Sequence, residues 1–189
     1  MINRVARIIA RSMVEPMVRY ENRRTRRGEV EFSEWNVMFA SMPGAFGNLM
    51  RGVFYRRTLA KVGCNVVFKH GSFCQYKNIT IGNNVFCGYY NTIGLVNFGD
   101  NIVVGGFVNF VSGRRQHGVS LNGVPFWQQA AEGRAVVNIG SNVWIGSNCV
   151  ICASVGDDCV LGVGSVLVKP MENKTVYAGN PARKIRDIA

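Results

Sequence analysis

Two histidines, His70 and His117, are the imidazoles available to this chain of 189 residues for acid–base chemistry. Histidine titrates near neutral pH, so it can take a proton from a reacting group and return it later. His70 stands in the segment FKHGSF, and His117 stands in RRQHGVS. A reaction in which a hydroxyl group is the nucleophile requires a base that removes the hydroxyl proton, so each histidine is a candidate for general-base catalysis.

The charge balance predicts an anionic partner. The chain has 22 Lys and Arg residues against 11 Asp and Glu, a formal net charge of +11, although only 17% of its residues are charged. Nucleic acid, a membrane surface and a phosphorylated ligand all fit such an excess. No apolar run approaches the roughly 20 residues of a membrane span, and arginines interrupt the N-terminal MINRVARIIARSM. We therefore expect a cytoplasmic protein with reduced cysteines.

A period of six residues indicates the elements that would position these side chains. In VNIGSNVWIGSNCVICAS, an aliphatic residue recurs at Ile139, Ile145 and Ile151, where neither a strand nor a helix would place it. Three steps of six make one coil of a triangular parallel β-helix, with the aliphatic residue inward and a Gly relieving strain at the corner. The inward positions form five groups: 62, 68, 74; 81, 87, 93; 98, 104, 110; 139, 145, 151; and 155, 161, 167.

This pattern predicts an all-β fold, a parallel β-helix of about five coils, with an N-terminal helical segment and a short C-terminal tail. We place the helical segment at 1–60, the β-helix at 61–168 and the tail at 169–189. The phase is lost in an inserted loop, 112–137, and insertions at solenoid corners usually lie on the binding face. Cys149 and Cys152 match a redox spacing, but without a strand–helix context we interpret them as core residues.

The repeat resembles the hexapeptide-repeat acyltransferases, a family of left-handed β-helices. The segments VWIGSN, GVGSVLVK and AGNPARKIR are similar to the acetyl-CoA-binding end of the maltose, galactoside and xenobiotic acetyltransferases. The segment PGAFGNLMRGVFYRRTLAKVG is more similar to the polysaccharide and O-antigen O-acetyltransferases. The resemblance covers Pro43 to Arg186, and it implies a left-handed coil and a homotrimer.

For this sequence, the resemblance implies an acetyl-CoA-dependent O-acetyltransferase acting on a sugar of a cell-surface polysaccharide or its precursor, without a metal. His117 corresponds to the catalytic base, whereas His70 is interpreted as structural or surface. The coenzyme phosphates are expected at Lys169 and Arg183, with Arg186 close by. The pantetheine groove is expected along Ser147, Val163 and Val168, and Asn180-Pro181 begins the tail that closes over it.

One position departs from the family pattern. The maltose and galactoside enzymes carry an acceptor-binding Asn in the second coil, where this chain has Gly88, which puts a small free sugar in doubt as acceptor. Aromatic side chains stack on sugar faces, but they also fill loops. The acceptor candidates are therefore Tyr89, Tyr90 and Asn91 in the second coil and Phe126 and Trp127 in the loop.

Residues 1–27 predict a basic amphipathic helix. Its apolar face would hold Ile2, Val5, Ala6, Ile9, Met13 and Met17, opposite Arg4, Arg7 and Arg11. Such a helix either packs on the protein, the commoner case, or contacts the inner face of a membrane. Both interpretations stay open.

The sequence leaves some alternative functions open and argues against others. N-acetylation of an amino-sugar nucleotide would need a similar deprotonation and is not separable by sequence. A zinc carbonic anhydrase on the same scaffold needs three His ligands, and two histidines argue against it. A non-catalytic anion- or nucleic-acid-binding scaffold fits the charge, but no nucleic-acid motif is present.

Overall fold

The computed structural model describes residues 4–112, 120, 123–130 and 133–189. Three helices come first: α1 (Arg4–Arg26), α2 (Glu34–Ala40) and α3 (Gly44–Thr58). Within the described residues, none of the helices is long and apolar enough to cross a membrane. A 3-10 helix spans Phe126–Gln128, and the strands are β1 (Lys61–Val62), β2 (Val67–Phe68), β3 (Phe73–Cys74), β4 (Thr80–Ile81), β5 (Val85–Cys87), β6 (Thr92–Ile93), β7 (Val96–Phe98), β8 (Ile102–Val104), β9 (Asn109–Phe110), β10 (Val137–Ile139), β11 (Val143–Ile145), β12 (Val150–Ile151), β13 (Cys159–Leu161), β14 (Val166–Leu167), β15 (Thr175–Ala178) and β16 (Arg183–Asp187).

The strands stack into three sheets that form the sides of a β-helix, and all pairs are parallel except β15–β16, which is antiparallel. The first sheet runs β1-β4-β7-β10, the second β2-β5-β8-β11-β13-β15-β16, and the third β3-β6-β9-β12-β14. We call the turn after each sheet the first, second and third corner. Five coils are complete and β15 begins another, so the β-helix has about six turns rather than the five predicted.

The predicted inward positions lie in register. On the second sheet, Cys87 pairs with Val104, Val104 with Ile145 and Ile145 with Leu161, and all four side chains are buried. Each coil therefore buries its aliphatic side chains against the coils above and below, and fully burying one such side chain stabilises the fold by about 1.5–3 kcal/mol. The all-β parallel β-helix prediction is confirmed.

The reason predicted for the glycines was wrong. Gly82 does not have a positive φ, so it relieves no backbone strain. A Cβ on Gly82 would instead lie 2.4 Å from the backbone oxygen of Gly99 in the next coil. These glycines let adjacent coils approach. The left-handed conformation falls two residues later, on Asn84, Asn101 and their equivalents, a position that asparagine tolerates better than most residues.

Helices α2 and α3 cap the open end of the first coil. Arg51 of α3 is fully buried, and its guanidinium donates hydrogen bonds to the backbone oxygens of Phe39 (2.7 Å), Met42 (2.7 Å) and Phe68 (3.0 Å). Burial lowers the pKa of Arg51 from its ordinary value. Because these oxygens belong to α2, the α2–α3 turn and β2, one side chain joins the cap to the β-helix.

Helix α1 packs along α3, but through a different face from the one predicted. Ala10, Val14 and Val18 are buried. Of the predicted apolar face, Val5, Ile9 and Met13 are about half exposed, at 58%, 53% and 48%, whereas Met17 is partly buried against the core. Ile2 lies outside the described residues. The apolar arc of α1 is wide, and α3 covers one edge of it, so the packed face is rotated away from the centre of the arc.

Candidate active site

The predicted general base, His117, lies outside the described residues. The chain that carries it leaves the β-helix after β9 and returns at β10, at the third corner. The Ala135 backbone N–H donates to the Ser112 backbone oxygen at 3.0 Å, which joins the two ends of the insertion. The insertion that carries His117 is therefore anchored at the third corner of the third coil. Its role stays a prediction.

The described part of the insertion presents two predicted acceptor residues. Phe126 and Trp127 lie in the 3-10 helix and are 56% and 80% exposed. The Gln129 side chain braces this part of the loop, because its amide nitrogen donates to the backbone oxygens of Ser120 and Val124, both at 2.8 Å. Two large aromatic side chains are thus held outside the hydrophobic core.

A column of aromatic side chains follows the second corner. The rings of Tyr90 and Phe107 are stacked, with centroids 5.2 Å apart, and His70 meets Tyr90 edge-on at 5.3 Å. Tyr90 and Phe107 both adopt a positive φ, which is rare for bulky residues. Tyr89 and Tyr90 are 52% and 49% exposed, so they present ring faces to the outside.

Asn91, by contrast, is buried in the β-helix. Its amide nitrogen donates to the backbone oxygens of Gly88 (3.2 Å) and Gly105 (2.9 Å), and its oxygen accepts from the Val108 backbone N–H (2.8 Å). The side chain joins neighbouring coils and does not share the exposed surface of the two tyrosines. The structure therefore separates Asn91 from the other acceptor candidates.

The family's Asn would not fit at Gly88. A Cβ at that position would lie 2.5 Å from the Gly105 backbone oxygen, closer than real Cβ atoms approach. Any side chain at this position would require the second and third coils to separate. The close spacing of the two coils therefore explains why this chain has Gly88 where the family has an asparagine.

The predicted pantetheine residues fall on two corners. Ser147 and Val163 lie on the second corner, and Val163 is 68% exposed. Val168 lies on the third corner, where Lys169 follows it. About four residues of extended chain cross the third sheet between these corners, a distance of about 13 Å. One chain therefore presents these donor candidates on two separate edges.

The C-terminal tail lies at the end of the second corner. The Gly179 backbone N–H donates to the Ser165 hydroxyl at 3.2 Å, and the Ala182 N–H donates to the Val166 oxygen at 2.8 Å. Between these two residues lie Asn180 and Pro181, both exposed and joined by a cis peptide bond. These hydrogen bonds hold the tail next to the second corner, on which Ser147 and Val163 lie.

The cationic side chains near the C-terminus differ in whether they are paired with a carboxylate. Lys169, Arg183 and Arg186 are exposed, and within the described residues none of them forms an ion pair with a carboxylate. Lys184 is bound to Asp187 at 2.8 Å and to Glu172 at 3.2 Å. The hydrogen bond to Asp187, and then that to Glu172, raises the pKa of Lys184. Three of the cations are therefore available to an anionic ligand, whereas the charge of Lys184 is already paired with carboxylates.

Cys149 does not have the environment of a redox cysteine. Cys149 is buried and its thiol donates to the Gly162 backbone oxygen at 3.1 Å. Burial raises the pKa of Cys149, which disfavours the reactive thiolate. Its packing inside the coil agrees with the interpretation as a core residue.

Sequence reasoning missed a cleft formed by α1, α3 and the first two coils. Its cationic side chains come from three distant segments: Arg7 and Arg11 from α1, Arg56 and Arg57 from α3, and Lys69 from the first coil. The arginine-rich composition of the N-terminal 60 residues was a signal of anion binding, but no spacing rule brings these segments together.

Comparison with known proteins assigns the chain to a family. No family model matches it. It is 31% identical to the galactoside O-acetyltransferase of Escherichia coli (strain K12) over 177 residues, covering 86% of this chain and 78% of that protein. It is 30% identical to a putative acetyltransferase of Saccharomyces cerevisiae (strain ATCC 204508 / S288c), covering 70% and 68% of the two chains.

Comparison with solved structures supports the same family. A galactoside acetyltransferase in complex with coenzyme A superposes with a TM-score of 0.70 at 26% identity, covering 89% of this chain and 90% of that one. A maltose O-acetyltransferase from Clostridium difficile 630 gives a TM-score of 0.69 at 26% identity, covering 82% and 86%. The fold is that of the left-handed β-helix acyltransferases. The protein belongs to the hexapeptide-repeat acetyltransferases of the galactoside and maltose O-acetyltransferase type.

Proposed function

We propose that this acetyltransferase moves the acetyl group of acetyl-CoA to a hydroxyl group of a saccharide in a cell-surface polysaccharide or its precursor. The observation that carries the proposal is the set of cations without carboxylate partners, Lys169, Arg183 and Arg186, at the C-terminal end of the described β-helix. The structure of the similar galactoside acetyltransferase contains bound coenzyme A. Charge-assisted hydrogen bonds to phosphate would hold the coenzyme at these cations.

In the proposed reaction, His117 acts as the general base. It takes the proton of the acceptor hydroxyl while that oxygen attacks the thioester carbonyl carbon of acetyl-CoA. The C–S bond then breaks, the sulfur leaves as coenzyme A, and the proton passes from His117 to that sulfur. The acetyl group moves directly from sulfur to oxygen, so no covalent enzyme intermediate is needed.

We further propose a homotrimer in which each active site lies between two subunits. The support is the division of the donor candidates: Ser147 and Val163 lie on the second corner, whereas Lys169 and the insertion with His117 lie on the third. One subunit would supply one edge and its neighbour the other. Light scattering should report a trimer, and a fully active monomer would contradict the proposal.

The acceptor is proposed to stack on Tyr89 and Tyr90 at the second corner of one subunit. Phe126 and Trp127 belong to the insertion at the third corner, so in the proposed trimer the insertion of the neighbouring subunit would cover the acceptor. Exposed aromatic rings bind the apolar faces of sugars. Asn91 is not included, because its amide is used within the β-helix. The absence of a side chain at Gly88 favours an acceptor larger than a single free sugar, which would gain its affinity from the aromatic rings.

We place the reaction in the cytoplasm, where acetyl-CoA is available to such an enzyme. Contact of residues 1–27 with the inner face of the membrane is part of the proposal. It is supported by the exposed apolar residues Ile8, Ile9 and Met13, which share α1 with several arginines. Sedimentation with anionic vesicles at low salt tests the contact, and no binding by the wild type would refute it.

The activity is tested by release of the coenzyme thiol from acetyl-CoA in the presence of free sugars, sugar nucleotides and oligosaccharides. We expect release with hydroxyl acceptors that carry several sugar units. Release with amino-sugar nucleotides alone would indicate N-acetylation, and no release with any of these acceptors would contradict the proposed function.

A further inference from the structure

The cleft between α1, α3 and the first two coils has a volume of about 700 Å³. That volume is typical of sites that bind a small organic molecule. Arg7, Arg11, Arg56 and Lys69 line it, and within the described residues none of the four forms an ion pair with a carboxylate. Arg57 also lines the cleft, but Glu15 binds its guanidinium. Four positive charges are thus available to a ligand.

The remainder of the lining is largely apolar. Leu49 and Val53 come from α3, Val66 and Val67 from the first coil, and Phe86 from the second. Phe86 is 39% exposed, although it is large and hydrophobic. A ligand that fills the cleft must therefore offer both negative charge and an apolar body. A free phosphate would leave this apolar surface uncovered.

Lys69 connects the cleft to the second corner. Its ammonium group lies 5.6 Å from the centre of the Phe86 ring and 6.0 Å from the centre of the Tyr89 ring. Phe86 belongs to the cleft, whereas Tyr89 is exposed at the corner where the acceptor sugar is proposed to stack. Lys69 is therefore close both to the apolar lining of the cleft and to an exposed aromatic ring at the second corner.

We propose that this cleft binds the lipid phosphate of a lipid-linked saccharide, which is the acceptor. The aliphatic chain would lie on Leu49, Val53 and Val66, the phosphate or diphosphate would meet the arginines and Lys69, and the sugar would reach the tyrosines. The support is that Lys69, a cation of the cleft, also lies 6.0 Å from the centre of the Tyr89 ring, where the sugar is proposed to bind. This inference rests on the proposed function, because it names the acceptor of that reaction.

The cleft is a different site from the one proposed for acetyl-CoA. Lys69 lies in the first coil and Lys169 follows the fifth, so four coil steps separate them along the β-helix. Adjacent strands are about 4.8 Å apart, which gives about 19 Å. The two groups of cations would hold two different anionic substrates at once.

The test is direct binding of farnesyl diphosphate, measured by calorimetry without acetyl-CoA. We expect saturable binding that is at least tenfold tighter than that of inorganic pyrophosphate, because burial of the isoprenoid chain adds to the affinity. The double variant Arg7→Ser, Arg11→Ser should weaken binding of farnesyl diphosphate by roughly tenfold or more. A thermal unfolding curve like that of the wild type shows that the variant is folded.

A matched control removes the same charge from the same helix. Arg23 and Arg26 lie at the other end of α1 and do not line the cleft. The variant Arg23→Ser, Arg26→Ser should bind farnesyl diphosphate like the wild type. Equal losses in both double variants would overturn the proposal, because they would indicate net charge rather than a site. Equal affinity for farnesyl diphosphate and pyrophosphate, or no binding of either, would also overturn it.

The experiments distinguish failure of the proposed function from failure of the cleft proposal. If farnesyl diphosphate binds as expected but no saccharide is acetylated, the cleft stands as a lipid-phosphate site and the acetyl acceptor is wrong. If oligosaccharides are acetylated but the lipid diphosphate does not bind, the transferase stands and the cleft proposal is wrong.

Discussion

Removal of a single cation at the C-terminal end should weaken the use of acetyl-CoA. Arg183 is exposed on β16, and its guanidinium donates to the Ala182 backbone oxygen at 3.1 Å. No carboxylate in the described chain pairs with it, so its charge is available to a coenzyme phosphate. We expect Arg183→Ala to raise the KM for acetyl-CoA and to leave the KM for the acceptor unchanged.

The size of the effect follows from the exposure of Arg183. A hydrogen bond to a charged group contributes about 1.5–3 kcal/mol. Because solvent and salt screen an exposed cation, we take the lower end, which corresponds to about a tenfold rise in KM. Lys184 is the matched control, since Asp187 and Glu172 already bind it. Lys184→Ala should change the KM for acetyl-CoA by no more than about twofold.

The assay is the initial rate of thiol release over a range of acetyl-CoA concentrations, at a fixed saturating concentration of acceptor. Raising the salt from low to high concentration should increase the KM of the wild type more than that of Arg183→Ala, because the variant has one fewer phosphate contact to screen. An unchanged KM in Arg183→Ala, or an equal rise in Lys184→Ala, would refute the assignment of the donor site.

Three further predictions concern catalysis and stability. His117→Ala should lower kcat by about 10²–10⁴-fold with little change in coenzyme binding, and turnover close to that of the wild type would end the assignment of the base. Lys77→Met should lower the free energy of unfolding by about 3–5 kcal/mol in urea titration, because the ammonium lies 2.8 Å from the buried carboxylate of Glu21. Gly82→Ala should destabilise by about 1–3 kcal/mol, since its Cβ would lie 2.4 Å from the next coil. The control Gly106→Ala meets an oxygen only at 3.2 Å and should cost less, so equal melting temperatures for the two variants would contradict this explanation.

The repeat was predictable because each coil obeys the same local rule. The inward position returns every sixth residue, so the register of Ile81 on Phe98 and of Cys87 on Val104 could be derived by counting. The sequence could not reveal why glycine follows these positions, because the cause is the neighbouring coil rather than the local backbone. Only stacking shows that a Cβ at Gly105 would lie 2.6 Å from the Ser147 backbone nitrogen.

The N-terminal helices were less predictable. A helical wheel groups apolar residues, but it does not indicate which part of a wide apolar arc a neighbour will cover. The structure covers the edge at Ala10, Val14 and Val18 and exposes Ile9. The buried Arg51 was also unpredictable, because its hydrogen-bond acceptors are backbone oxygens whose positions depend on the tertiary fold.

The candidate site divides in the same way. Lys169 and Arg183 could be named as coenzyme candidates by resemblance, because each lies in a continuous segment that resembles the family, and their role stays a prediction. The cleft could not, because Arg7, Arg56 and Lys69 meet only after α1 and α3 pack on the first coil. Its chemistry became visible from the arrangement of side chains and not from any spacing.

The central claim is that acetyl passes from acetyl-CoA to a saccharide hydroxyl with His117 as the base. The most direct measurement is transfer of a carbon-13-labelled acetyl group from acetyl-CoA to an oligosaccharide, followed by nuclear magnetic resonance of the product before and after mild base. The account predicts a labelled ester that mild base removes, formed by the wild type and reduced at least a hundredfold by His117→Ala. Coenzyme release without a labelled saccharide, or equal labelling by His117→Ala, would contradict it.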